Sequence, residues 1–410
     1  MHILFLTDNF PPEVNAPATR TYEHAIRWIE EGCKVTVITC APNFPEGKVF
    51  SGYKNKWYQY QVMDDINVVR VKTFITANNG FLLRTVDYLS FMITGFIAGL
   101  FQKKPDVIIA TSPQFFTACM GWMLSVFRNR PFVFELRDLW PASIIAVGAM
   151  KNSLLITWLE KLELFLYKKA DAIISVTNSF KDELISRGIN GNKIFVILNG
   201  VDHNNYQPTS IKDSILSEKY NLKDKFVVGY LGTHGLAHGL DVILDAAEKL
   251  KQYPNIFFML VGSGAAKSDL VMNAKKRNLK NILFIDSQPK ELMKRYYSLC
   301  NISLIHLKNN PLFASVIPSK LFESMAMGLP IIMALPKGEA TKLVNHHKCG
   351  VIISPENSLL LANSVLELQS NNEQLNQYKE SAINASLLFS RDVKAREMLN
   401  VLNNFVKRNS

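Results

Sequence analysis

What restricts this chain most is a rhythm of short apolar runs. HILFLTD, KVTVITC, INVVRVK, DVIIATS, FVFELRD, AIISVT and KIFVILNGV recur through the first half, rich in β-branched and aromatic residues and mostly separated by segments of helical periodicity. Runs without polar alternation belong to strands covered on both faces, and strand–helix–strand alternation sets them parallel in one sheet. After Val201 the polar stretch DHNNYQPTS breaks the rhythm, which restarts with FVVGYLG, NIFFMLVG, NILFIDSQP, ISLIHL and GVIISPEN. A chain of 410 residues is long enough for two cores. The fold class is therefore α/β, with domains expected at 1–202 and 203–385. The closing segment, 386–410, is amphipathic and able to pack back on the first domain.

A net charge of +11 and a pI of about 9.2 suit an anionic partner. No Lys/Arg-rich tail or run concentrates that charge, so nucleic acid is not expected, whereas a membrane surface or a phosphate-bearing substrate fits. The cysteines Cys33, Cys40, Cys119, Cys300 and Cys349 form no C-x-x-C pair, which argues against a metal or disulfide framework and for a reducing cytoplasm. The opening MHILFLTD is too short for a signal peptide and ends in an acid. Of two apolar stretches, Val107–Phe127 is interrupted by Pro113 and Gln114. YLSFMITGFIAGLF, from Tyr88 to Phe101, is uncharged for about 14 residues, short of the roughly 20 that cross a bilayer. It reads either as a core helix or as an interfacial one flanked by Arg84, Lys103 and Lys104, with Phe91 and Phe96 toward lipid.

The sharpest chemistry lies in PLFASVIPSKLFESMAMGLP, Pro311 to Pro330. Pro318 suits the first position of a helix and Ser319 can cap it, while Gly328 and Pro330 end it before the buried strand Ile331–Leu335. Lys320 and Glu323 then stand near a helix N-terminus. Its amides, partial positive charge and the ammonium can together hold a diphosphate without a metal, and the carboxylate can take ribose hydroxyls. A first-turn Glu that merely complements the helix dipole is the plainer alternative. The loop GTHGLAHGLD, with Gly232, Thr233, His234, Gly235, His238 and Gly239, lets backbone approach a ligand closely, unless it is only a turn with exposed histidines. Gly262-Ser263-Gly264 ends the next strand, and these loops gather at one sheet edge, where open α/β sheets bind nucleotides.

In the first half the opening turn lacks G-x-G-x-x-G, so a dinucleotide is not indicated. Asn9, Phe10, Pro11, Pro12 and Glu13 form a stiff loop beyond the carboxyl end of the first strand, a ligand-binding location. Asp138, in LRDLWP, is placed either for catalysis or to cap the next helix. The segment APNFPEGKVFSGYKNKWYQYQ, residues 41–61, reads as a solvated crossover loop or a surface receiving an acceptor that carries phosphate or lipid.

YLG-x-x-G-x-x-x-GLD, VGSG and PSKLFESMAMGLPII resemble motifs of the retaining GT-B glycosyltransferases of family 4, over nearly the whole chain. DNFPPEVNAPATR with LRDLWP is similar to its bacterial surface-polysaccharide branch, which includes L-N-acetylfucosamine transferases of O-antigen and capsule assembly. The resemblance implies two Rossmann-like domains facing across a cleft. It implies donor contacts from Gly232, Thr233, His234, Gly235, Gly262, Ser287, Ser315, Ser319, Lys320 and Glu323, with the loop Asp286–Gln288 at the base. It implies acceptor contacts from Asn9, Phe10, Glu13, Asn15 and Arg137, and catalytic roles for Asp138, Lys320 and Glu323. Two departures from the family stand out: Ser315 stands where a second Glu is usual, and Thr233 and His238 stand near the usual basic residues of the phosphate loop. Arg137 replaces an active-site His.

The expected activity is transfer of a sugar, an N-acetylated amino sugar such as N-acetyl-L-fucosamine, from a UDP-sugar to a polyprenyl-diphosphate-linked saccharide. The expected course is retention, without a metal or cofactor, at the inner face of the cytoplasmic membrane. A nucleotide-sugar 2-epimerase, or a non-catalytic nucleotide-binding subunit of a polysaccharide assembly complex, are the alternatives.

Overall fold

The computed structural model describes residues 1–44, 46–76, 81–112, 114–139, 154–209 and 211–408. Pro113, and Trp140 and Pro141 of LRDLWP, lie outside them. The chain divides into two compact units, Met1–Leu198 with Arg391–Ser410, and Asn199–Ser390.

The first unit is built on an 8-stranded sheet in the order β3-β4-β2-β1-β5-β6-β7-β8. Its strands are β1 (His2–Leu6), β2 (Lys34–Cys40), β3 (Tyr58–Met63), β4 (Ile66–Val71), β5 (Val107–Thr111), β6 (Phe132–Leu136), β7 (Ala172–Ser175) and β8 (Ile194–Val196). All neighbours are parallel except β3, which runs antiparallel to β4. The second unit holds a 6-stranded parallel sheet in the order β11-β10-β9-β12-β13-β14. These are β9 (Phe226–Leu231), β10 (Ile256–Val261), β11 (Ile282–Ile285), β12 (Ile302–His306), β13 (Ile331–Ala334) and β14 (Gly350–Ile353). The second order is the doubly wound 3-2-1-4-5-6 pattern, and the first, without the edge strand β3, is the same pattern with a seventh strand, β8, added; in both, strand order reverses beside the first strand and opens a crevice there. The reversal falls between β1 and β5 in the first unit and between β9 and β12 in the second.

Strand β3 corrects the reading of residues 41–61 as loop throughout. Its exposed residues are Tyr58, Tyr60 and Val62, while Gln59, Gln61 and Met63 are half-buried, so the polarity is inverted relative to an ordinary half-covered strand. The usable signal was Asp64-Asp65, both at positive φ (46° and 62°), a turn that closes a hairpin with β4.

The helix Phe81–Leu100 is a core helix on one side and exposed on the other. Phe91 and Ala98 are buried, and Gly95 and Gly99 admit the helix Phe115–Arg128 so closely that an added Cβ would lie 2.5 Å from Met120 Sδ and 2.6 Å from Leu124 Cδ1. Its other side is apolar and exposed. Phe91 is therefore core, and Phe96 packs edge-on against Phe127 with ring centroids 5.4 Å apart; neither fits the lipid-facing role expected of it. By length and hydropathy the window Leu83–Leu100 could cross a membrane, the only such helix among the described residues. The close packing of one whole side against sheet and helix argues against a span, because a spanning helix of this length would meet lipid on that side.

The closing helix Arg391–Arg408 belongs to the first unit, where it lies on the helix Ala16–Glu30. Met398 and Leu402 enter the core beside Trp28, whose indole N–H donates to Ala395 O at 2.9 Å. Arg391 pairs with Glu23 at 2.6 Å, both about 6% exposed. Removing one partner of a buried pair leaves a charge without its counterion and typically costs about 3–5 kcal/mol. Glu23→Ala is thus expected to lower the urea midpoint of the first unit substantially. All five tryptophans precede residue 198, so their fluorescence reports this unit alone. A loss below about 1 kcal/mol, the level of an exposed pair, would show the contact is not buried in solution.

Candidate functional site

In the second unit the crevice position is occupied by the loop after β9. Gly232 N–H donates to Val261 O and His234 N–H to Ser263 O, both at 2.9 Å, so the loop is stitched to the one that follows β10. The glycines make this possible. A Cβ on Gly262 would lie 1.9 Å from Gly232 O, and one on Gly264 would lie 2.5 Å from His234 O. Both residues also hold positive φ, 150° and 156°. Lys267 fastens the lower side, its ammonium donating to Gly262 O at 2.7 Å and to Asp286 Oδ1 at 2.6 Å.

Against this loop stands Lys320, first residue of the helix Lys320–Ala326. Its ammonium lies 4.0 Å from the centroid of the Tyr230 ring, and a Cβ on Gly232 would approach it to 2.9 Å. It is shielded from solvent and has no hydrogen-bond partner. Burial pulls its pKa down to about 7, opposed only by Glu323. His234, fully buried, has both ring nitrogens unpartnered, and His238 has an unpartnered Nδ1. Burial and then nearby Lys267 and Lys320 hold His234 at about 4; burial and then Lys320 hold His238 at about 3. At neutral pH both imidazoles are uncharged and each offers one N–H. The Lys320 ammonium with the two imidazole N–H groups gives the cluster several unpartnered donors for an anion.

Two residues that sequence reasoning passed over hold this arrangement. His306, at the end of β12, accepts from Glu356 N–H on Nε2 at 3.0 Å, which fixes its proton on Nδ1 for donation to His238 O at 2.6 Å. Tyr297 is buried and donates its hydroxyl to Glu323 Oε2 at 2.9 Å. Glu323 is thereby oriented one turn along from Lys320 rather than merely decorating a helix end.

Several expected residues are placed differently. Ser319 makes no side-chain cap; instead Leu321 N–H donates to Pro318 O and Phe322 N–H to Ser319 O, at 3.0 and 3.1 Å. With those amides spent and only 7 residues in the helix, its dipole is a small contributor and the charge rests with Lys320. Ser315 ends the short 3₁₀ turn Pro311–Ser315 and donates its hydroxyl to Leu312 O at 2.7 Å. Ser287 is exposed, its N–H 3.4 Å from Ser263 Oγ, and Thr233 is exposed while its carbonyl accepts from Tyr230 OH at 2.8 Å. Gly235 opens the 3₁₀ turn Leu236–His238.

In the first unit the loop after β1 is mostly scaffold. Phe10 is fully buried in the core with Trp28, and Glu13, 3% exposed, accepts from the N–H groups of Phe10, Asn43 and Phe44. Burial carries Glu13 up to about 7 against those bonds. Both are corrected from ligand contacts to supports of the loop. Asn15 caps the helix Ala16–Glu30 through Ala18 N–H at 3.0 Å and donates to Asn9 Oδ1. Arg137 follows β6, with its NH1 buried and unpartnered; burial lowers it to about 10, with Glu135 opposing. Asp138 is half-buried, and its N–H lies 3.3 Å from Ser112 Oγ. Asp8, which the sequence did not single out, is raised by burial, opposed first by a hydrogen bond from the Asn9 side chain and last by Arg137.

The comparisons with known proteins follow this division. The family model "Glycosyltransferase Family 4" matches residues 17–205 and "Glycosyl transferases group 1" matches 212–385. WcaI of Escherichia coli (strain K12), named as a colanic acid biosynthesis glycosyl transferase, is 25% identical over 339 residues, covering 80% of this chain and 82% of WcaI. The O-antigen chain mannosyltransferase C of Escherichia coli is 25% identical over 193 residues, 46% of this chain and 48% of that one. Among solved structures, sucrose-phosphate synthase from Thermosynechococcus elongatus superposes with a TM-score of 0.77 at 16% identity, over 98% of each chain. Anabaena HepE in complex with UDP and glucose gives 0.73 at 19%, over 98% of this chain and 99% of that one. At such identities the structures speak for the fold. With two parallel-sheet α/β units and a matching model on each, the chain belongs to the GT-B glycosyltransferases that combine a family 4 domain with a group 1 domain.

Proposed function

We propose that this glycosyltransferase moves a sugar from a UDP-sugar to a hydroxyl of a polyprenyl-diphosphate-linked saccharide during bacterial O-antigen or capsule assembly, at the inner face of the cytoplasmic membrane. The observation that carries the reading is the buried ammonium of Lys320 beneath the glycine loop, without a hydrogen-bond partner. A diphosphate supplies the acceptors that Lys320, His234 and His238 lack. Uridine as the nucleoside is supported by HepE, which was solved in complex with UDP and glucose, and surface polysaccharide as the product is supported by the names of the two relatives.

In this reading Glu323, set by Tyr297, accepts from the ribose hydroxyls, and the Asp286–Gln288 loop borders the base. As the bond between sugar and diphosphate lengthens, charge grows on the leaving phosphate, where Lys320 and the imidazole N–H groups of His234 and His238 meet it. The acceptor oxygen attacks from the departing side, its proton passes to the leaving phosphate, and configuration is retained without a metal. Asp138 and Arg137 orient the acceptor. Ser315, a neutral hydroxyl already donating to Leu312 O, suits a donor that needs no carboxylate there, and an N-acetylated 6-deoxy sugar such as N-acetyl-L-fucosamine is our candidate.

Lys320→Ala is expected to weaken UDP binding by about 1.5–3 kcal/mol, the worth of a hydrogen bond to a charged group, and Glu323→Ala to weaken it as well. Calorimetric titration that returns wild-type affinity for both variants sinks the donor assignment. Transfer should also survive EDTA.

Folding without ligand gives a second, independent outcome. With the pKa of Lys320 lowered from 10.5 to about 7, folding disfavours its charge. That cost is fully present below pH 7, shrinks as pH rises toward 10.5 and is gone above it. Lys320→Met should therefore raise the ligand-free calorimetric melting temperature most at pH 6 to 7 and least near pH 10. A Met variant less stable than wild type at pH 6 would count against a desolvated ammonium.

A further inference from the structure

The exposed side of the helix Phe81–Leu100 is not random. Leu83, Val86, Ile93, Ile97 and, just beyond it, Phe101 are 46–82% exposed. At 100° per residue they fall in one stripe opposite Phe91, Gly95 and Ala98. The close contacts of Gly95 with Met120 and Gly99 with Leu124 lock the helix's rotation, so this stripe cannot turn inward. Phe127, 70% exposed, widens it through its contact with Phe96.

A second array lies on the same face of the sheet. Tyr58 and Tyr60 sit opposite Val71 and Val69, which share a core cluster with Phe91, so the side chains of Tyr58, Tyr60 and Val62 emerge on the side the helix covers. They are 51–58% exposed, and Trp57 beside them is 72% exposed with the Lys72 ammonium 4.7 Å from its ring centroid. Lys54 and Lys56 flank the strand and Lys103 and Lys104 flank the helix, all exposed. Acids are present too: Asp64 and Asp65 at the hairpin turn, and Asp87 on the helix, half-buried and raised to about 7, first by burial.

The geometry points to a membrane-docking face made jointly by this helix and the β3 edge, seated in the interface of a bilayer that contains anionic lipid. Aliphatic residues enter the acyl boundary, Trp57 and the tyrosines sit at headgroup depth, and the lysines meet lipid phosphates. The lysines decide against a second copy as occupant, because a symmetric contact would bring like charges together, whereas anionic headgroups complement them. This deepens the membrane placement proposed above and does not depend on the donor assignment.

The test is sedimentation of the full chain with phosphatidylcholine vesicles with and without phosphatidylglycerol, alongside UDP titration. Wild type should bind the phosphatidylglycerol vesicles more tightly, with an affinity that falls as salt rises, and Trp57→Phe should remove the blue shift of fluorescence on binding. Ile93→Glu with Ile97→Glu should lose roughly tenfold or more in partitioning, and Lys54→Glu with Lys56→Glu should lose the preference for phosphatidylglycerol. Both double variants should keep wild-type circular dichroism and UDP affinity. Because the mutated residues are exposed, unfolding of Ile93→Glu/Ile97→Glu would itself contradict the surface. Failure of wild type to sediment with either vesicle overturns the proposal, as does unchanged binding by the Ile variant. So does a lipid-free dimer that the Ile variant turns into monomer. Loss of UDP binding with vesicle binding intact would instead count against the donor reading alone.

Discussion

An ammonium ion held out of water with no hydrogen-bond acceptor is an incomplete interaction, and the second unit is arranged to preserve it. Lys320 rests on the face of Tyr230, which supplies a weak electrostatic partner and no hydrogen-bond acceptor. The helix that carries it is too short to contribute a large dipole, so the positive charge is local to one side chain. Its lowered pKa expresses the same condition, since burial penalises the charged state until an anion arrives. Proteins keep such a disfavoured group where binding can relieve it, which is why perturbed titration so often coincides with function.

Around that charge, backbone does most of the positioning. The loops after β9 and β10 hydrogen-bond to one another through Gly232, His234 and Ser263, with glycine at the places where a side chain would collide with a carbonyl. His306 then fixes the His238 carbonyl from β12, across the reversal of strand order. Each contact is modest alone, on the order of 1 kcal/mol net. Together they hold the donor groups ready before a ligand is present, which lowers the ordering that binding would otherwise require.

The two sheets were legible because parallel strands covered on both faces read as plain apolar runs, and PSKLFE placed Lys320 and Glu323 at a helix start. Burial of individual loop residues was not legible. Phe10 and Glu13 lie in a loop at a ligand-binding edge, yet one fills the core beside Trp28 and the other clamps backbone amides supplied about 30 residues later. The shielding of Lys320 depends on Tyr230, ninety positions earlier in the chain, and no local pattern announces such a pairing. Strand β3 escaped because its glutamines, not its tyrosines, take the more covered face. His306 ends β12 and Asp8 lies just past β1, where sequence gives little reason to prefer them over solvated polar residues.

The closing helix has a consequence for how the molecule is made. Its Arg391, Ala395 and Met398 complete contacts with Glu23 and Trp28, so the first unit is assembled from two stretches far apart in the chain while the second is continuous in sequence. During synthesis the ribosome delivers everything needed for the Asn199–Ser390 unit before it delivers the piece that seals the Met1–Leu198 core. The N-terminal half must therefore wait, with its apolar groove beside Trp28 uncovered, until the helix Arg391–Arg408 has left the ribosome, and a nascent chain stalled before that point would present the groove to chaperones.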